Sequence, residues 1–152
     1  MSRGFLTLCC GLAVATTTLP LSPAVAATYF AQSPDQQIVL NTGKTLIVSV
    51  TVPKGNWIIS TSTYAADQSL AQEGAAIACL LAVNGNYINE RDVGNLPTGG
   101  NPIAYDIVNQ MVVTLTAKST IGLYCEDEQG LPNVLIAAQR ATLIVSPAGA
   151  VK

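Results

Sequence analysis

The sequence contains no histidine. That absence removes Ser-His-Asp and Cys-His nucleophilic catalysis, imidazole acid–base chemistry and every His-based zinc or copper site. Charge is scarce as well, at 11% of the residues. No basic run marks a footprint for nucleic acid or for an anionic membrane surface. No Gly-rich loop follows a strand and opens a helix, so no phosphate cradle is expected. No stretch shows a long amphipathic helical period with caps. What is abundant is apolar: 49% of the 152 residues are hydrophobic.

Part of that apolar content sits at the N-terminus. In "MSRGFLTLCCGLAVATTTLPLSPAVAA" Arg3 supplies a positive start and Phe5 to Ala15 an apolar run. Pro20 and Pro23 end any helix, and Ala24-Val25-Ala26 supplies the small residues a signal peptidase requires. Residues 1–26 therefore read as a signal peptide, with cleavage before Ala27 or Thr28. The run is too short for a membrane anchor and is broken by Thr16, Thr17 and Thr18. Cys9 and Cys10 come too early for a lipid-modified cysteine and leave with the peptide. The expected mature domain is 27–152, destined for the periplasm, cell surface or medium. Losing Arg3 leaves six of seven basic residues against nine acids, a net charge of −3.

Two cysteines remain, Cys79 and Cys125. In "AIACLLAV" Ile77, Cys79, Leu81 and Val83 share one face of a strand, and in "TIGLYC" Ile121, Leu123 and Cys125 do the same. Both thiols point where the large apolar residues point, and export favours pairing. Zinc needs about four N or S ligands, which two thiols and no histidine do not supply. Glu126, Asp127 and Glu128 make the surroundings of Cys125 negative, against a reactive thiolate. A structural disulfide is the expectation. The same three acids are the calcium candidates, although they lack the spacing of a calcium loop and read more simply as a solvated turn before Gly130 and Pro132. No cofactor is expected.

Period-two alternation runs through the rest. Leu46, Val48, Val50 and Val52 share a face. Pro53-Lys54-Gly55-Asn56 has turn chemistry, and Trp57 and Ile59 alternate back, a pattern that predicts a hairpin. Asn84-Gly85-Asn86 predicts a second one. Ala66 to Ala75 and Asn95 to Pro102 read as connections. An irregularity near Gln139 and Arg140 predicts a bulge. About eight short strands, beginning at Gln36, suggest an all-β, two-sheet antiparallel sandwich, jelly-roll-like, with an immunoglobulin-like sandwich as the alternative. The latter usually places its tryptophan between the cysteines, whereas Trp57 precedes both.

"VTVPKGNWIISTSTY", "ACLLAVNG", "MVVTLTAKSTIGLYC" and "LIAAQRATLIV" resemble the successive strands of small secreted bacterial β-sandwich proteins of uncharacterised function. Their order is also similar to the jelly rolls of the tumour necrosis factor and complement globular-head class. That resemblance implies a homotrimer and carries over no functional residue.

Three functions are compatible with this inventory. The first is a secreted, non-enzymatic structural or interaction module with one disulfide. It would self-associate through outward Ile47, Ile58, Val112 and Ile144, while Trp57 packs in the core. The second is a lectin-like domain that binds a glycan or small ligand, with or without calcium. Its contacts would come from the loops at Asn95 to Pro102 and Glu126 to Pro132, with Tyr64, Tyr87, Tyr105 and Tyr124 off the core face. The third is a carboxylate-dependent hydrolase, for which Glu90, Asp92 and Asp106 are the candidates because glycosidases need two carboxylates in one cleft.

Overall fold

The computed structural model describes residues 27–34, 38–40, 42–67, 76–95, 104–128 and 136–149. The expected signal peptide and most of the two candidate ligand loops lie outside the described residues. The elements are β1 (Tyr29–Gln32), β2 (Ile38–Val39), β3 (Thr45–Val52), β4 (Gly55–Asp67), β5 (Ala76–Val83), β6 (Asn86–Asn95), β7 (Ala104–Leu115), β8 (Ser119–Asp127) and β9 (Ile136–Pro147). All pair antiparallel. One sheet runs β1-β9-β4-β7, with β2 also on β9, and the other runs β3-β8-β5-β6. This is the strand order of a jelly roll, and it differs from the ABED and CFG sheets of the immunoglobulin alternative.

The two inner faces hold the core. Ile59, Ile77, Leu81, Ile121, Leu123, Leu143 and Val145 are completely or almost completely buried. Trp57 is buried as expected. Its Nε1 donates to the Pro53 carbonyl at 3.1 Å, and its ring meets Tyr29 edge-on at 5.5 Å. Cys79 and Cys125 face each other directly in the β5–β8 register and form a disulfide inside one sheet. It closes a separation of 46 residues. Asn109 is buried on β7, and its Nδ2 reaches across the sandwich to the Cys79 carbonyl at 3.2 Å. That bond ties the sheets together and satisfies a polar group that burial would otherwise penalise.

Three local readings are corrected. Pro53 to Asn56 turns the chain, but β3 and β4 belong to different sheets and do not pair. The turn is a corner of the sandwich, since turn chemistry bends a chain without choosing the partners of its flanks. Ile47 is buried and Leu46 is 47% exposed, the reverse of the simple alternation. A register shift between Leu46 and Val48 on the β8 ladder inserts one residue and exchanges their faces. The structure also has a strand, β1, ahead of the expected first one. The Asn84–Asn86 turn and the irregularity near Arg140 hold, whereas Gly130 and Pro132 lie outside the described residues. Asn84 and Gly85 both have positive φ and close the β5–β6 hairpin as a two-residue loop. The β4–β9 ladder shifts register opposite Arg140, whose φ is 49°.

Candidate interaction faces

Because alternate side chains of each strand go to the core, the others must form two outer faces. On the five-stranded sheet, neighbouring strands set Phe30 against Ile144 and Ile58 against Val112. Ser60 lies between Ile144 and Gln110, and Ser62 between Thr142 and Val108. Phe30, Val108 and Val112 are 59%, 61% and 67% exposed. Polar neighbours satisfy one another: Gln110 Nε2 donates to Ser60 Oγ at 3.3 Å, and Thr114 Oγ1 to Asn56 Oδ1 at 2.8 Å. From Asn56 to Ser62, and across four strands, this face carries no charge. Asp106, opposite Tyr64, lies beyond its end. At ordinary strand spacing the charge-free area is roughly 450 Å² in projection. Within it Phe30, Val108, Val112 and Ile144 are exposed among serine, threonine, asparagine and glutamine side chains, and clustered exposed apolar residues often mark interaction surfaces. Of the four residues expected here, Ile58, Val112 and Ile144 are on the face and Ile47 is in the core. Phe30 and Val108 belong to it as well. The signal for Val108 was its even spacing from Val112. Phe30 had none without β1.

The four-stranded sheet presents a different outer face. Tyr87 and Tyr124 meet edge-on at 5.6 Å. Lys44 Nζ lies 4.7 Å from the Tyr87 ring centroid and 3.3 Å from Glu126 Oε1. The Tyr124 ring lies over Gly122, where an added Cβ would come within 2.9 Å of it. An open concavity of about 270 Å³ is lined by Leu80, Tyr87, Ile88 and Asn89. The sequence put both tyrosines off the core, but cross-strand register brings them together.

The acids do not gather in the same way. Glu126 is on the outer face with Lys44, whereas Asp127 is buried on the inner side of β8 and Glu128 is exposed just after it. Among the described residues no group of three or more His, Cys, Asp or Glu is placed to hold a metal. Glu90 and Asp92 lie on β6 of one sheet, and Asp106 lies on β7 of the other. The side chains of Glu90, Asp92 and Tyr105 are outside the described residues. Among the described residues no helix is long and apolar enough to cross a membrane.

No family profile and no curated protein matches the chain. Solved structures do. The chain is similar to a structure of infectious bursal disease virus, strain Gx, with TM-score 0.51 and 11% identity over 93% of this chain and 38% of that one. It is also similar to the VP2 subviral particle of the same virus, with TM-score 0.51 and 15% identity over 82% and 33% of the two chains. T=1 particles derived from the virus match at TM-score 0.51 and 11% identity over 93% and 37%. The chain thus spans little more than a third of the proteins it resembles. At these identities the likeness is one of fold.

Proposed function

We propose that this protein is a secreted, non-enzymatic structural module that assembles with further copies of itself. The observation that carries the proposal is the charge-free outer face of the five-stranded sheet, with Phe30, Val108, Val112 and Ile144 exposed on it. A solvated sheet face ordinarily alternates apolar-in with polar or charged-out, and this one departs from that pattern where a second copy would cover it. The likeness to proteins that form virus particles supports the idea by fold analogy alone. The disulfide is consistent with an oxidising compartment outside the cytoplasm. Light scattering on the purified protein at micromolar concentration tests the proposal. A particle heavier than one chain is expected, the trimer being the size implied by the jelly-roll resemblance. A monomer removes the proposal.

A second reading rests on the Tyr87–Tyr124 face and the concavity beside it, since an exposed Tyr87 ring braced by half-buried Tyr124, with a neighbouring ion pair, suits a glycan. A glycan array run with and without calcium tests it, and silence in both conditions ends it.

A further inference from the structure

Among the described residues the two sheets have four edges, and three of them are protected. β1 and β2, which share one edge along β9, have only four and two residues. β3 carries a register shift, and β6 carries two as well as Glu90, Arg91 and Asp92 in sequence. Short length, bulges and charge are the devices that keep sheet edges from pairing with other chains. β7 is neither short nor bulged, and its one charge, Asp106, lies toward its N-terminal end. It runs twelve residues, "AYDIVNQMVVTL", with no proline, glycine or lysine. Its ladder to β4 is unbroken from Gly55↔Leu115 to Ala66↔Ala104. Among the described residues no strand pairs with its other edge, and no backbone hydrogen bond outside the ladders reaches it.

We infer that β7 pairs antiparallel with β7 of a second copy, about a two-fold axis through Gln110, joining the two five-stranded sheets into one. The sequence of the edge is self-complementary in that register. Val108 of each copy lies opposite Val112 of the other, and these are the two most exposed large hydrophobic residues among those described. On the inner side Ile107 lies opposite Val113, where Val113 and Met111 are only partly buried in the single chain. Asp106 is the only charge on the strand. It falls opposite Thr114, roughly 27 Å along the ladder from its symmetry mate, so like charges do not meet. Shifting the pairing by two residues sets each valine against Gln110, Asp106 or Thr114, and shifting it by one turns the faces over. A two-fold contact of this kind is isologous and closes on itself.

This inference rests on the self-association proposed above and gives it an edge contact, distinct from coverage of the outer face. The test is oxidative cross-linking of the purified protein carrying Gln110→Cys or Thr114→Cys, with light scattering of Val112→Lys. The unchanged emission of buried Trp57 serves as the check that each variant is folded. In the inferred register Gln110→Cys meets its own mate and gives a covalent dimer, Thr114→Cys gives none, and Val112→Lys halves the particle mass. A particle that stays oligomeric with no cross-link at 110, with equal cross-linking at 114, or with an unchanged mass in Val112→Lys overturns the β7 pairing and leaves self-association standing. A trimer held only through outer faces is one such result. A wild-type monomer overturns both.

Discussion

Asn109 shows how one side chain can matter beyond its size. It is buried on a β-strand in an apolar interior, and its amide holds a backbone carbonyl of the opposite sheet. Asn109→Ala leaves the Cys79 carbonyl without that donor, at an expected cost of about 1–3 kcal/mol. Urea unfolding followed by the single tryptophan measures it, and a change within error would mean that the contact contributes nothing net. The disulfide acts differently, by restricting the unfolded chain. For its loop length the entropy model assigns roughly 4 kcal/mol. Replacing both Cys79 and Cys125 with alanine is expected to lower stability by about 2–4 kcal/mol while leaving the β circular dichroism spectrum intact. Unchanged stability under reducing and oxidising conditions would contradict the bond. Both cysteines and their inward direction were legible in the sequence. Asn109 was not, because nothing local distinguishes a polar residue that crosses a sandwich from one that faces water.

At the scale of elements, only one pair of consecutive strands among the described residues, β5 and β6, forms a hairpin. Its turn depends on two successive residues with positive φ, Asn84 and Gly85. No heavy atom other than its chain neighbours lies within 4 Å of a Cβ placed on Gly85, so a substitution there probes the backbone rather than a clash. Gly85→Val is expected to cost about 1–2 kcal/mol from the left-handed conformation alone. Thermal unfolding reads that loss, and a neutral result would show that the turn relaxes freely. The Asn-Gly signal was decisive in the sequence because it demands a particular backbone twist. The Pro53–Asn56 signal was equally strong and led to the wrong partner. A corner between sheets and a hairpin within one use the same turn residues. The choice depends on β8 and β7, which lie far along the chain.

The whole molecule offers solvent two unlike surfaces, one charge-free and one with paired tyrosines and an ion pair. An assembly built on the first surface contains no interfacial ion pair to be screened. Its mass in light scattering is therefore expected to be the same at low salt and at about 0.5 M salt, where the Debye length is well below 10 Å. A particle that dissociates as salt rises would place the contact on a charged surface, such as that around Lys44 and Glu126.

Alternation, turn residues and the cysteine pattern let the sequence by itself determine an all-β sandwich, its inward cysteines, the β5–β6 hairpin and the bulge near Arg140. These follow from short-range rules: side chains alternate at every residue, and particular dihedrals admit particular residues. The tertiary structure alone decided which strands are neighbours. It moved Ile47 inward and Leu46 outward through one inserted residue, gathered Phe30, Val108, Val112 and Ile144 on a single face, brought Tyr87 beside Tyr124, and left β7 at an edge. Each of these depends on pairing between segments distant in the chain, where a one-residue shift of register exchanges the two faces of a strand.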